Sequence, residues 1–223
     1  MSHFESFIIE KIERLTLLSQ RFISRLKSFE RRKNMKVLGI LGSPRIGGNS
    51  DMLLNQALAG AREMGARVEK IILNRKKISG CLDCTKCNET GICVIRDDML
   101  EIHKKILKAD AVIHSVPLYF WAMTSQMKAY LDRWCAFFDG NWKWHRAYAP
   151  MMKGKRIGLI TVCGDPNAHT ADPIVHSFRE TCMFSGLKLF PAVQVSAGGK
   201  GEIDKNEKAK KEAYELGRKI ATP

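Results

Sequence analysis

From Met35 onward, short apolar runs alternate with segments whose apolar residues recur every three or four positions. Lys36–Leu41, Arg67–Leu73, Ala111–Val116, Arg156–Val162 and Leu187–Val195 have the length of buried strands. Between them, Asp51–Met64 carries Leu53, Leu54, Ala57 and Leu58 on one side, and Asp98–Lys108 carries Leu100, Ile102, Ile106 and Leu107. Helical spacing also marks Ser125–Phe138, Ile174–Phe184 and the charged closing segment Lys205–Ile220. Strands that alternate with helices need crossover connections, which predicts an α/β fold: a parallel sheet with helices on both faces. Five such strands suggest the order 2-1-3-4-5, with ligand chemistry at their carboxyl ends.

The first 34 residues carry a different pattern. Phe4, Ile8, Ile12, Leu15, Leu18, Phe22, Leu26 and Phe29 step by three and four and draw one stripe on a long amphipathic helix. The division is therefore an N-terminal helical extension over 1–34 and one domain over 35–223, with a cysteine-rich loop at 80–95. The stripe could be buried against the domain, in a partner subunit or at a membrane surface. Basic residues outnumber acidic ones by eight to four in this extension, and the whole chain has a net charge of +14. Charge of this sign attracts anions in general. Without a nucleic-acid-binding motif or interleaved aromatic and basic positions on a strand, it does not predict nucleic-acid binding. Hydrophobic residues make up 45% of the chain, enough for a core, and no apolar run reaches the roughly 18 residues of a membrane span.

Three turns at the expected carboxyl end of the sheet carry candidate binding chemistry. The first is Gly42-Ser43-Pro44-Arg45-Ile46-Gly47-Gly48-Asn49-Ser50, ahead of a helix. Gly48 lets a ligand approach the backbone, Ser43, Asn49 and Ser50 offer short polar side chains, and Arg45 adds a cation. A helix N-terminus favours an anion, so this turn predicts phosphate binding; helix capping by Asn49 or Ser50 is the simpler structural reading. The second turn, Pro117-Leu118-Tyr119-Phe120-Trp121, brings aromatic residues to the end of a central strand, where a flat heterocycle could stack. The third, Thr161-Val162-Cys163-Gly164-Asp165, supplies Thr161, Gly164 and Asp165 at the same end. Lys128, Asp132 and Arg133 read as charge pairs on a helix surface.

Cys81, Cys84, Cys87 and Cys93 fall within one short run, at spacings that can share a metal centre. Thiolates ligate iron–sulfur clusters and zinc alike, and a reduced, metal-free loop is the plain alternative. Clustered rather than evenly spread cysteines predict a reducing compartment, hence the cytoplasm, and the first residues carry no secretory pattern. Cys163 reads as a small buried thiol, and the scattered histidines form no nucleophile–base pair with a cysteine.

Together, the turn 42–50, Val116-Pro117-Leu118-Tyr119-Phe120, Met127-Lys128-Ala129-Tyr130-Leu131-Asp132-Arg133 and the four cysteines followed by Asp97-Asp98-Met99 resemble the NADPH-dependent FMN reductase superfamily. Within it the chain is most similar to the iron–sulfur flavoproteins, over about residues 35 to 200. The resemblance implies a flavodoxin-like fold, bound FMN, and a 4Fe-4S cluster on Cys81, Cys84, Cys87 and Cys93. It implies an FMN-dependent oxidoreductase of electron transfer, reduced by NAD(P)H or by a redox protein such as a ferredoxin. Homodimers or homotetramers are implied, with one subunit's cluster near another's flavin. Ser43, Arg45, Asn49 and Ser50 match the phosphate turn, and Pro117 through Trp121 match the ring-lining segment. A cluster-free NAD(P)H-dependent FMN or quinone reductase is the alternative, and a redox sensor acting through residues 1–34 is a third reading.

Overall fold

A computed structural model of the chain describes residues 35–222. The predicted extension 1–34 lies outside the described residues. β1 (Lys36–Leu41) leads through the first turn into α1 (Asn49–Glu63), and β2 (Arg67–Ile72) follows. After the cysteine loop, which contains the short α2 (Cys87–Thr90), come α3 (Met99–Lys108), β3 (Ala111–Pro117) and α4 (Ser125–Asp132). The chain continues through the single-turn α5 (Ala149–Met152), β4 (Arg156–Cys163) and α6 (Asp172–Ser185). It ends with β5 (Lys188–Leu189), β6 (Val193–Ser196) and α7 (Glu207–Ala221).

The strands run parallel in the order β2-β1-β3-β4-β5, as the alternation predicts, with β6 also paired to β4. The expected last strand is therefore in two pieces. Phe190 N–H still bonds Ile157 C=O at 2.9 Å, and the register then slips by one residue across the stretch that contains Pro191, from Leu189 opposite Ile157 to Val193 opposite Ile160. The expected helix 125–138 also divides: α4 stops at Asp132 and tightens into a 3₁₀ turn over Arg133–Phe137. That change of pitch carries Arg133, Trp134 and Phe137 inward.

Strand alternation sends side chains to two cores. Val37 and Leu41 of β1 pack with α1 and α7, and Leu38 and Ile40 pack on the other face with residues of α3, α4 and α6. The α1–α7 layer is unusually close. A Cβ on Gly217 would sit 1.8 Å from the Ala57 carbonyl oxygen, and one on Gly60 would sit 2.1 Å from that of Tyr214. Only glycine permits this approach. The second core holds Tyr130, whose hydroxyl meets His114 Nε2 at 3.1 Å, with His114 also against Trp134 and Phe178. Burial lowers the pKa of His114 to about 3, so it is neutral inside the fold.

Because every strand points the same way, the turns after β1, β3, β4 and β6 gather at one end of the sheet. Among the described residues, no helix is long and apolar enough to cross a membrane.

Candidate functional site

The turns after β1, β3, β4 and β6 enclose a cleft of about 100 Å³. Of the residues expected to bind a ligand, Ser43, Arg45, Gly48, Asn49, Ser50, Pro117, Leu118, Tyr119 and Gly164 line it. The cap of α1 is Gly48, with no side-chain hydrogen bond. Asn49 and Ser50 do not cap the helix, so the simpler reading of this turn fails. The first helical bond runs from Met52 N–H to Gly48 C=O at 3.0 Å. The amides of Asn49, Ser50 and Asp51 thus precede the helical ladder, at the positive end of the helix dipole. The turn is rigid. Asp51, buried in the first turn of α1, accepts the Gly47 N–H at 2.8 Å and pairs with Lys70 at 2.7 Å. Its charge is therefore neutralised away from the cleft. Ser115 Oγ donates to Ser50 C=O and Thr124 Oγ1 donates to Gly42 C=O, both at 2.7 Å, bracing the turn from β3 and α4.

The aromatic loop is a two-residue hairpin. Tyr119 and Ala122 exchange backbone bonds at 2.9 and 3.0 Å, and the central Phe120 and Trp121 have φ of 46° and 56°. Such turns ask for positive φ at both centres and normally use Asn-Gly. Two bulky aromatics there store strain, which persists in folds mainly at functional positions. Phe120 is 95% exposed and Trp121 67%, so both stand at the tip above the cleft rather than among its lining residues. Thr161 departs further from expectation. It is fully buried within β4, on the side chain face opposite Val162, and its hydroxyl has no partner among the described residues. Asp165 is exposed and outside the cleft, its carboxylate accepting the Asn167 N–H at 2.8 Å. Cys163 lines the cleft but is buried against the carbonyls of Asp165, Asn167 and Ala168, and burial pushes its thiol up. That environment suits an unreactive thiol.

The cysteine loop is held by a buried ion pair. Arg133 Nη1 donates to the Asp97 carboxylate at 2.7 Å and to Ser79 C=O at 2.9 Å. Nη2 reaches Asp97 at 3.2 Å and Ile95 C=O at 3.4 Å. Asp97 also accepts the Ser79 N–H at 2.9 Å, so this pair joins the two ends of the loop across all four cysteines. Burial pushes the Asp97 carboxyl up, but the bonds from Arg133, Ser79 and Met99 outweigh it and hold its pKa below the usual value. Arg133 is thus no surface partner of Asp132. Asp132 instead meets Lys128 at 2.5 Å, as the i,i+4 spacing implies.

Within the loop, Cys81 and Cys84 are exposed, Cys87 is half-buried and Cys93 is buried, all as free thiols. The Cys87 pKa is raised, first by burial and then by the charge of Cys93, with smaller contributions from Cys81 and Cys84. Asp83 and Thr85, on either side of Cys84, have φ of 49° and 56°. A β-branched residue there is a backbone outlier that surrounding structure must enforce. The donor set fits a soft metal centre. Among the described residues, however, no three His, Cys, Asp or Glu side chains converge into a group able to hold a metal ion.

The family model described as NADPH-dependent FMN reductase matches residues 35–202, well over half of the chain. The chain belongs to this family. An iron–sulfur flavoprotein of Archaeoglobus fulgidus is 40% identical over 128 residues, 57% of this chain and 54% of that protein. Another, from Methanocaldococcus jannaschii, is 43% identical over 99 residues, 44% of this chain and 51% of that protein. The chain thus spans about half the length of these curated relatives. Among solved structures, a flavone reductase superposes with a TM-score of 0.66 at 26% identity, covering 84% of this chain and 62% of the other. The resemblance to iron–sulfur flavoproteins drawn from the motifs is borne out by these matches.

In this member of the FMN reductase family, sequence reasoning missed three features of the site. Asp51 could have been found as the acid in the first turn of the helix that follows the turn 42–50. The loop Gly198-Gly199-Lys200-Gly201 after β6 brings Gly198 and Lys200 to the cleft, and its glycine-rich composition was the available signal. The Arg133–Asp97 pair had no local signal, because its partners come together only through the tertiary fold.

Proposed function

We propose that the chain is an FMN-dependent oxidoreductase, with the flavin phosphate on the turn 42–50 and a 4Fe-4S cluster on Cys81, Cys84, Cys87 and Cys93. The observation that carries the flavin reading is the uncapped N-terminus of α1 opening into a cleft with Ser43 and Arg45. Free amides and a cation there match a dianionic phosphate. Tyr119, with Pro117 and Leu118, offers an apolar wall on which a planar ring can lie, and the exposed Phe120–Trp121 tip can shield it from water. When bound, FMN supplies hydride and single-electron chemistry and a 4Fe-4S cluster supplies single-electron transfer. The chain's part is to orient these groups: the Asp51–Lys70 pair keeps the phosphate turn rigid, and Arg133 with Asp97 fixes the cysteine loop. Strained backbone at Asp83 and Thr85 supports a loop shaped for an occupant. NAD(P)H as donor is supported by the family's name, and a redox protein such as a ferredoxin would serve in the same role.

The absence of a converged ligand group among the described residues favours the second reading, a cluster-free NAD(P)H-dependent FMN or quinone reductase. One experiment separates the two. The flavin released from purified protein is identified, and NAD(P)H oxidation is followed in a Cys84→Ala/Cys87→Ala variant. FMN release with loss of electron transfer supports the cluster reading. Full turnover in the variant supports the cluster-free one, and release of no FMN overturns both.

A further inference from the structure

We propose that Lys200 is a second cation for the ligand phosphate, and that Asn49 is the positioning residue that holds it at the cleft; this rests on the flavin-phosphate reading above. Asn49 matches a phosphate-turn residue by motif, yet its amide is already committed. Nδ2 donates to Ala197 C=O at 3.2 Å and to Gly199 C=O at 2.8 Å, while Oδ1 accepts the Gly201 N–H at 3.1 Å. An amide nitrogen has two protons, and both are used. Flipping the amide would set its oxygen against two carbonyl oxygens, so the orientation follows from the network. Asn49 therefore has no side-chain donor left for a phosphate. Its three bonds instead tie the loop after β6 to the first turn of α1.

The tied loop carries Lys200 between Gly199 and Gly201, and Lys200 lines the same cleft as Arg45 and Ser43. Glu202 fixes the loop from the other side, accepting the Gly199 N–H at 2.7 Å. Neither Arg45 nor Lys200 forms an ion pair among the described residues. Two uncommitted cations at one cleft, beside the free amides of a helix N-terminus, make a site for a doubly charged group. A glycine-flanked lysine would otherwise lose much of its attraction to chain entropy, which the Asn49 bonds reduce.

The test compares FMN with riboflavin, which lacks the phosphate, by fluorescence titration of full-length protein stripped of flavin. Lys200→Met should weaken FMN about tenfold while changing riboflavin less than about twofold. Lys200→Arg should restore most of the FMN preference, and added salt should narrow the gap between wild type and Lys200→Met. Asn49→Ala should show the same selective loss, and the double variant should lose little more than either single one. An unchanged preference for FMN over riboflavin in Lys200→Met overturns the proposal. Equal loss of FMN and riboflavin in Asn49→Ala, with Lys200→Met unaffected, also overturns it, because Asn49 would then act on the flavin itself. If wild type does not prefer FMN over riboflavin, the flavin-phosphate reading falls and this proposal falls with it.

Discussion

Removing one partner of the Arg133–Asp97 pair should destabilise the fold far more than an ordinary salt bridge would. The two side chains are 0% and 8% exposed, and Arg133 makes four hydrogen bonds that join Ser79, Ile95 and Asp97. Breaking a buried pair from one side costs about 3–5 kcal/mol, because the remaining charge stays buried. Arg133→Met leaves Asp97 with amide bonds from Ser79 and Met99, so its cost should lie near the lower end, about 3 kcal/mol. Asp97→Asn leaves a buried guanidinium without a counter-charge and should cost about 4–5 kcal/mol. The double variant should fall short of the sum by about 1–3 kcal/mol, since neither charge is then stranded. Urea unfolding at pH 7 reads all three, and limited proteolysis within 80–95 reads the loop separately. Single variants each within about 0.5 kcal/mol of wild type, or a strictly additive double variant, would refute the idea that this pair closes the cysteine loop.

Other consequences are more local. Gly217→Ala should destabilise by about 2 kcal/mol or more despite alanine's higher helix propensity, because its Cβ would meet the Ala57 backbone; a thermal melt decides the sign. Phe120→Asn/Trp121→Gly should relieve the left-handed turn and stabilise by about 1–2 kcal/mol while weakening FMN binding, read by melting and flavin titration. Burial holds the His114 pKa near 3, and burial followed by the Arg133 charge holds that of His103 near 4. Well above pH 6.5 both are neutral whether folded or not. Between about 6.5 and 4 the unfolded chain binds protons that the folded one refuses, so each should cost stability on acidification, approaching about 1 kcal/mol per pH unit below pH 6. Denaturation midpoints measured from pH 7 to pH 5 should fall accordingly, and less steeply in His114→Phe.

What the sequence revealed follows the range of the forces involved. Strand runs, helix spacing and the 42–50 turn are local patterns, and the sheet order and the place of that turn between β1 and α1 could be read from them. Pro191 was equally visible as a break in the last strand, yet the apolar run around it masked the interruption. Arg133 misled because it follows Lys128 and Asp132, which do pair at i,i+4, and local spacing cannot report a partner 36 residues away that closes a buried pair. Thr161 misled for a related reason. Its position in the strand is evident, but which face it presents depends on register with β3 and β6. Phe120 and Trp121 were legible as aromatics and not as a positive-φ turn, since their sequence is the opposite of what such a turn prefers.

The central claim is that one chain holds a flavin phosphate at α1 and a cluster on the loop that Arg133 closes. Anaerobic purification followed by iron, sulfide and flavin quantitation on the same sample tests it most directly. The account predicts about one FMN, four irons and four sulfides per chain, with the metal lost and the FMN kept in Cys84→Ala/Cys87→Ala. FMN at full occupancy with no iron, even after anaerobic reconstitution, would contradict it.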